Sequence, residues 1–395
     1  MKLSVPSNWD PRLIEGLRRE CVEEIYGKLP VDAVGGGRVA FALPSITKNS
    51  ASEYIMRVRE KGLKFNYLLN GTCLGNKEWS IRGQRSVSGL LDWISELGVE
   101  SVTVSLPYLL QLIKKRYPHL KVYVSTQACV SSLQEAEYWQ DLGADRITLS
   151  VHKANRDFEL LAAVGKRIKS EIQLIANLNC LRNCPFALYH GVISSHNSQT
   201  KGYGNTFAVD YPFLMCNYFR IKEPAEFIRS GWIRPEDTAL YEDLGIFRFK
   251  IVSRTMSTDT LLNIIEAYSD RHYDGNLLDL FSDPRKSEMF KKPRLLHAFR
   301  HFFHPFLANP FRLKELAGLA GPDGIHIDNR SLDGFLKGLL KAGNCNSRSC
   351  LECGYCSQAA RQAITIRDEK SRATLIERYE KFLECIIGGD MFKYA

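Results

Sequence analysis

The feature that most constrains the fold of this chain is an alternation of short β-branched runs with longer segments of helical periodicity. Such alternation is typical of parallel strands joined by crossover helices. The predicted strands are RVAFAL (38–43), KFNYLL (64–69), SVTVS (101–105), KVYVS (121–125), RITLS (146–150), EIQLIA (171–176), FIRSGWI (227–233) and IFRFKIV (246–252). Eight such units favour a closed (β/α)8 barrel, and a doubly wound open sheet is the alternative.

Other segments set the expected domain organisation. A helix is predicted around Asp10 to Tyr26, and the strand rhythm stops beyond Tyr268. We therefore predict a barrel domain over residues 1–270 and a mainly helical extension over residues 271–395. The first predicted strand is not followed by a glycine-rich dinucleotide fingerprint, which is a reason to prefer the barrel to the open sheet.

Composition and charge restrict the class of protein. Of the 395 residues, 45% are hydrophobic and 25% are charged, which is typical of a globular enzyme. The formal net charge of +9 is compatible with an RNA substrate, but the basic residues are scattered rather than gathered in one run. The first residues lack a signal-peptide core, and no stretch approaches the roughly 20 apolar residues of a membrane span. We expect a cytoplasmic protein.

The positions of the cysteines predict a metal centre at the barrel mouth. Eleven cysteines in a chain without an export signal indicate metal binding, redox chemistry or burial rather than disulfides. Cys73 follows the second predicted strand, Cys180 and Cys184 follow the sixth, and Cys216 lies in the long connection over 179–226. Because strand ends meet at one mouth, the four thiols could hold a [4Fe–4S] cluster. A redox dithiol of the Cys180 and Cys184 pair, or a zinc site, is the alternative.

A second cysteine group lies near the end of the chain. The segment CNSRSCLECGYC places Cys345, Cys350, Cys353 and Cys356 in a C-x4-C-x2-C-x2-C pattern. Four cysteines within twelve residues can surround one cuboid cluster, so the pattern favours a second [4Fe–4S] centre. Zinc is the alternative, although zinc sites usually separate their two ligand pairs by a longer loop.

Several motifs resemble the U32 family, whose members include collagenase-like peptidases and oxygen-independent hydroxylases. The resembling residues are the PS pair after the first predicted strand, VSTQ (124–127), the cysteines Cys180, Cys184 and Cys216, and FKIVSR (249–254). The last segment is similar to the family's K-I-E-G-R motif. It departs from that motif at Val252 and Ser253, so the role of the family's glutamate is not transferred. The C-terminal cysteine group is not part of the common family pattern and indicates a distinct subgroup.

The resemblance implies a reaction class and roles for particular residues. Family hydroxylases hold a [4Fe–4S] cluster at the barrel mouth and act on ubiquinone precursors, transfer RNA or ribosomal RNA. The RNA-modifying members use prephenate as the hydroxyl donor. On this basis Lys250 and Arg254 are predicted to bind the anionic substrate, and Gln127, Asn179 and His190 to orient it or move protons. The expected partners are a small-molecule or RNA substrate and an electron-donor protein.

Two other functions are compatible with the sequence. The family label suggests a peptidase, but no Ser/His/Asp arrangement, H-E-x-x-H helix or paired catalytic carboxylates are visible in the sequence. An iron–sulfur electron-transfer protein or an RNA-binding protein without chemistry of its own would also suit two cysteine groups and a basic chain.

Overall fold

Eight parallel strands close into a barrel in the computed structural model, which describes residues 1–17, 20–199, 210–281, 319, 324–343, 345–346 and 348–392. The strands are β1 (Lys2–Pro6), β2 (Val22–Gly27), β3 (Lys64–Leu69), β4 (Ser101–Val104), β5 (Lys121–Val124), β6 (Arg146–Thr148), β7 (Glu171–Ile175) and β8 (Arg248–Lys250). Each strand pairs with its neighbour in the chain, and β8 pairs with β1 to close the ring. The predicted (β/α)8 barrel is confirmed.

Six of the predicted strands are confirmed as β3 to β8, and three predictions near the ends of the barrel are wrong. The segment 38–43 forms only a 3-10 turn at Ala40–Ala42, and residues 227–233 begin in a short helix. The predicted helix over residues 10–26 ends at Gly16 and is followed by β2. The first two strands were missed because their inward residues, such as Ser4 and Glu24, are polar, which hides the apolar signature of a buried strand.

Helices surround the barrel and make up much of the C-terminal part. They are α1 (Pro11–Gly16), α2 (Lys48–Glu60), α3 (Ile81–Glu96), α4 (Pro107–Arg116), α5 (Leu133–Asp141), α6 (Phe158–Arg167), α7 (Ala187–His196), α8 (Tyr211–Lys222), α9 (Ala225–Arg229), α10 (Thr238–Glu242), α11 (Thr258–Asp270), α12 (Phe335–Ala342), α13 (Cys350–Cys353), α14 (Tyr355–Ala363) and α15 (Glu369–Ile387). Within the described ranges, no helix is long and apolar enough to cross a membrane.

Side chains at the helix starts explain why these segments are helical. The Ser132 hydroxyl accepts the amide of Glu135 at 3.2 Å, while the Glu135 carboxylate accepts the Ser132 amide at 3.0 Å. This reciprocal capping satisfies two amides that have no partner inside α5. Thr47 caps α2 and Ser257 caps α11 through one hydrogen bond each, in which the side-chain oxygen accepts the amide three residues ahead.

The C-terminal part packs on the barrel through a shared core. Its strands β9 (Ile325–Ile327) and β10 (Ile364–Ile366) pair antiparallel, and Phe335 of α12 lies in the same buried cluster as barrel residues such as Trp232. The helical character of this extension is confirmed by α12 to α15. The division of the chain at residue 270 stays a prediction.

The interior of the barrel is polar in the layer that lies farther from the carboxyl ends of the strands. The Ser4 hydroxyl donates to Glu24 Oε1 at 2.5 Å, and Arg146 Nη1 donates to the same oxygen at 2.7 Å. Gln173 Nε2 donates to the Ser4 hydroxyl at 2.8 Å, and Gln173 Oε1 accepts from the Thr148 hydroxyl at 3.0 Å. All five side chains are buried, so hydrogen bonds and charge fill a space that branched aliphatic residues occupy in most such barrels.

The interior becomes apolar toward the carboxyl ends of the strands. Tyr26, Leu68, Ile175 and Val252 form a buried cluster there, and Cys180 packs against it. The outward residues of the same strands, among them Leu3, pack beneath the helices in the main core. The polar layer is therefore separated from the mouth by an apolar layer, against which Cys180, one of the predicted cluster ligands, packs.

We expect Glu24→Ala to lower the free energy of unfolding by about 3–5 kcal/mol, because it removes a buried charge partner of Arg146. Urea unfolding of the full chain, followed by circular dichroism, measures the change. Glu60→Ala is the control, since Glu60 is exposed at the end of α2. A loss below about 1 kcal/mol for Glu24→Ala would show that the polar layer does not stabilise the barrel.

Candidate functional site at the barrel mouth

The long connection after β7 covers the carboxyl ends of the strands. It contains α7 and α8, and its residues 200–209 lie outside the described part of the chain. The Thr72 amide donates to the Ser195 hydroxyl at 2.7 Å, and the Gly36 amide donates to the Ser198 hydroxyl at 2.8 Å. These bonds fix the end of α7 over the loops that follow β2 and β3.

Gln127, a predicted catalytic residue, lies between two glycines beneath this cover. A Cβ atom at Gly37 would lie 2.9 Å from Gln127 Nε2, and one at Gly191 would lie 2.8 Å from Gln127 Oε1. Both approaches are closer than ordinary contacts, so a side chain at either position would displace the Gln127 amide from its place. The structure thus places Gln127 at the mouth, between the loop after β2 and α7.

Three of the predicted cluster cysteines are gathered at the mouth. Cys180 and Cys184 follow β7, Cys216 lies on α8, and each of Cys184 and Cys216 raises the pKa of Cys180 through its charge. Burial raises the pKa of Cys180 to about 12, and burial also raises the pKa of Cys184 and of Cys216. The Arg220 guanidinium opposes the shift at all three thiols. As free thiols these groups are protonated at neutral pH, the opposite of an activated nucleophile.

Cys73 occupies different surroundings. Its sulfur accepts the Gly75 amide at 3.4 Å, and its carbonyl oxygen accepts a hydrogen bond from Gln199. Cys73 raises the pKa of Lys77, against the larger effect of burial, and it is not among the main influences on the other three thiols. Across the described ranges, no three His, Cys, Asp or Glu side chains are already grouped as a metal site. The ligand roles of the four cysteines stay predictions.

His190 and Asn179 lie beside the thiols. His190 Nε2 is 3.0 Å from Asp210 Oδ2, and Asp210 also accepts the Phe213 amide at 3.1 Å at the start of α8. The Asn179 backbone oxygen accepts a hydrogen bond from Arg220, while its side-chain oxygen is buried with no hydrogen-bond partner among the described atoms. The site therefore contains a histidine–aspartate pair and one buried acceptor that is still available.

Two arginines give the mouth its positive charge. Arg254 follows β8, is 5% exposed, and has a buried Nη1 with no hydrogen-bond partner among the described residues. Burial, together with repulsion from Arg38, lowers the pKa of Arg254 to about 10. We call Arg38 and Arg254 the arginine pair. Arg38 also lowers the pKa of Cys180, so its charge acts on both Arg254 and one of the thiols.

The nearby carboxylate of Asp32 acts on the charge of Arg254 but is paired with another cation. Lys28 Nζ lies 2.9 Å from Asp32 Oδ2, with both side chains buried, and the Tyr67 hydroxyl donates to the same oxygen at 3.0 Å. Asp32 thus has its own cation, and the arginine pair remains free to bind an anion such as a carboxylate or phosphate. Arg38, Arg220 and Asp210 were missed from the sequence. The signal for Arg38 was the GGGR run after β2, which reads as a strand-end loop only once β2 is known.

Lys250, predicted to bind substrate, lies deeper than the mouth. Its ammonium is 3.9 Å from the centre of the Tyr26 ring, and the side chain is buried inside the barrel. Burial lowers the pKa of Lys250 to about 7, with Arg146 and Arg254 acting in the same direction and Glu24 opposing them. The Tyr26 hydroxyl donates to the Ile251 oxygen at 2.7 Å, which fixes the ring over the lysine. Lys250 therefore changes charge near neutral pH one layer below the arginine pair.

The C-terminal cysteines lie at the rim of the same barrel. Cys350 and Cys353 belong to α13, Cys356 belongs to α14, and Cys345 precedes them. Burial raises the pKa of Cys356, and the charges of Cys345 and Cys350 act in the same direction. Arg182, which lies between Cys180 and Cys184 in the chain, donates to Asn346 Oδ1 at 2.9 Å. This hydrogen bond connects the two cysteine groups.

The fold and the site together define a (β/α)8-barrel protein with polar and thiol groups gathered where barrel enzymes place their active sites. The model of peptidase family U32 matches residues 36–172. The resemblance to the U32 family that the sequence motifs indicated is confirmed over this segment of the barrel.

Relatives with known names divide into two kinds. An uncharacterized protease of Methanocaldococcus jannaschii is 28% identical over 346 residues, 87% of this chain and 89% of that protein. The tRNA hydroxylation protein P1 of Bacillus subtilis is 22% identical over 200 residues, 46% of this chain and 45% of its own length. The tRNA hydroxylation protein P of Helicobacter pylori is 29% identical over 122 residues, 29% and 27% of the two chains. This chain thus covers less than half of either tRNA hydroxylation protein.

Among solved structures, a U32 peptidase is 22% identical and covers 64% of this chain and 92% of its own, with a TM-score of 0.47. The similarity to the archaeal relative extends beyond the barrel, since 346 residues exceed the 270 of the predicted barrel domain. The C-terminal part is therefore at least partly shared with that relative.

We expect the stability of the chain to depend on pH through Lys250. Between pH 7 and 10.5 the folded chain holds fewer protons than the unfolded chain, so its free energy of unfolding rises with pH in that window. Lys250→Met removes this dependence. Urea unfolding of the two proteins at about pH 6 and pH 9 should show the variant gaining stability over the natural chain mainly at pH 6. A difference that is the same at both pH values would contradict the depressed pKa.

Proposed function

We propose that this chain is an iron–sulfur enzyme that hydroxylates its substrate without molecular oxygen. The observation that carries the proposal is the gathering of Cys180, Cys184 and Cys216 at the mouth beside the Arg220 guanidinium. Cys73 completes the proposed ligand set, although its charge acts on the pKa of Lys77 and is not among the main influences on the other three thiols.

The donor chemistry of the mouth suits an iron–sulfur cluster. Thiolates are the usual ligands of such clusters, and a coordinating metal deprotonates thiols that are otherwise held neutral by burial. A cluster with four thiolates is anionic, and the guanidinium groups of Arg220 and Arg38 offset that charge for Cys180. When bound, the cluster would supply redox or Lewis-acid chemistry at the position where barrel enzymes bind substrate.

The remaining residues of the mouth would bind substrate and move protons. The unpaired Nη1 of Arg254, with Arg38 beside it, offers a carboxylate or phosphate two cations and a free donor. A dicarboxylate donor of the prephenate type has the charge that this pair requires. His190, paired with Asp210, would accept or return a proton, while Gln127 and Asn179 would orient the substrate. Lys250 would act one layer below, through its charge.

An RNA base is the proposed substrate class. Two relatives are named tRNA hydroxylation proteins, and the net charge of +9 suits a polyanion. An aromatic or isoprenoid small molecule is the alternative, and an electron-donor protein is a proposed partner. The raised pKa values of the three thiols argue against a cysteine peptidase, because a peptidase nucleophile requires a lowered one.

Anaerobically purified chain should contain about four irons and four sulfides at the barrel mouth. Replacing Cys180 and Cys184 together by serine should remove them, because two ligands of the proposed cube are lost. Cys21→Ser is the matched control: its thiol lies 3.1 Å from the Ser269 hydroxyl, before β2 and away from the mouth. Iron and sulfide analysis decides the outcome, and an unchanged count in the double variant would refute the mouth cluster.

A strain lacking this chain should lose one hydroxylated nucleoside from its RNA. The natural chain should restore it, whereas Arg254→Gln should restore at least tenfold less, since the free guanidinium donor is lost. Arg271→Gln, which removes an exposed charge paired with Glu242, is the control and should restore it fully. Nucleoside mass spectrometry measures the yield. An intact nucleoside profile with a missing hydroxylated metabolite would replace RNA by a small molecule.

A further inference from the structure

Arg156 is a buried cation whose surroundings the proposed mouth chemistry does not explain. It ends a 3-10 turn (Ala154–Arg156) after β6 and is 4% exposed. Its guanidinium lies 4.5 Å from the centre of the Trp232 ring and 5.1 Å from that of Phe335. Barrel and C-terminal aromatic rings therefore enclose the charge.

The guanidinium is only partly satisfied. Nη1 donates to the Ile228 oxygen at 2.6 Å, but Nε and Nη2 are buried with no hydrogen-bond partner among the described residues. Two other buried arginines have carboxylate partners: Arg146 lies 2.7 Å from Glu24, and Arg234 lies 2.8 Å from Asp237. A buried ion without a counter-charge costs several kcal/mol, so a partner is required.

The groups that act on Arg156 identify that partner. Burial lowers the pKa of Arg156, and among the charges that raise it Cys356 has the largest effect. Cys345 acts in the same direction, and no carboxylate is among the main influences. Both cysteines pack against the core that contains Arg156's aromatic neighbours. The ring of Tyr355, next to Cys356 in the chain, stacks on Phe335 at 5.4 Å and brings α14 against α12.

The neighbouring cation Arg229 lies on the same side. It donates to the Ser357 hydroxyl at 2.8 Å, and Cys350 acts on its charge. Three cysteines of the C-terminal group thus lie within electrostatic range of two arginines on the barrel. Arg229 already has a carboxylate partner, since its Nη1 lies 2.5 Å from Glu226 Oε1. Arg156 has none, and neutral thiols would not compensate its charge, whereas thiolates would.

We propose that Cys345, Cys350, Cys353 and Cys356 hold an anionic iron–sulfur centre and that Arg156 is its buried counter-charge. The two unpaired guanidinium donors of Arg156 would be available to the thiolates that hold the centre. Hydrogen bonds and positive charge near the sulfur atoms would favour the reduced, more negative form of such a centre. Among the described residues, no three His, Cys, Asp or Glu side chains are grouped as a metal site. The inference therefore rests on the unpaired donors and buried charge of Arg156 and on the C-x4-C-x2-C-x2-C pattern. This centre is separate from the mouth thiols, and either can fail without the other.

The stability of Arg156→Met tests the pairing, because its sign depends on the centre. In anaerobically purified full chain we expect the variant to melt at a lower temperature, because the anionic centre loses its counter-charge. In a chain with the four C-terminal cysteines replaced by serine, the same substitution should leave the melting temperature unchanged or raise it, since no anion remains to be paired. Equal destabilisation in both backgrounds, or failure to fold in both, would overturn the proposal.

A redox titration supplies a second readout. It uses chains in which Cys180 and Cys184 are serine, so that only the C-terminal centre contributes iron. Arg156→Met should shift the one-electron reduction equilibrium at least tenfold toward the oxidised form, about 59 mV, and Arg156→Lys should shift it less. Arg271→Met removes an equal charge from the surface and should not shift it. An unchanged potential in Arg156→Met, or zinc instead of iron in this group, would overturn the proposal. If iron is lost only when Cys180 and Cys184 are replaced, the C-terminal centre is refuted and the proposed mouth cluster is supported.

Discussion

The barrel depends on one buried carboxylate. Glu24 on β2 accepts hydrogen bonds from Ser4 on β1 and from Arg146 on β6, and so joins strands on opposite sides of the ring. A polar centre of this kind is stable only when its groups are paired, so it fixes which strands meet and in which register. The apolar layer above it separates these charges from the mouth, where a different set of charges is gathered.

The two cysteine groups follow the same physical rule. Each contains thiols whose pKa is raised by burial: Cys180, Cys184 and Cys216 at the mouth, and Cys356 in the C-terminal group. Each also lies near a buried arginine with unpaired guanidinium donors, Arg254 at the mouth and Arg156 beneath the C-terminal group. Both arrangements become balanced when the thiols ionise on a metal. The hydrogen bond from Arg182 to Asn346 connects these regions, so the C-terminal part is built onto the mouth rather than appended elsewhere.

The sequence predicted the middle of the barrel well, because the outward-facing residues of β3 to β7 are apolar. It missed β1 and β2 because Ser4 and Glu24 face inward and are satisfied only by residues far along the chain. Residues 227–233 resembled a strand because Trp232 and Ile233 are buried, but that burial comes from packing of a helix and loop. The thiols at Cys180, Cys184 and Cys216 were predictable from the strand-end rule. Arg156 was not, since its environment joins three separate segments.

The central claim is that the mouth thiols bind an iron–sulfur cluster. It is tested most directly by Mössbauer spectroscopy of anaerobically purified, iron-57-labelled chain in which the four C-terminal cysteines are serine. Our account predicts the spectrum of a cuboid [4Fe–4S] cluster, lost when Cys180 and Cys184 are also replaced. A chain without iron, or with a single mononuclear iron, would contradict it.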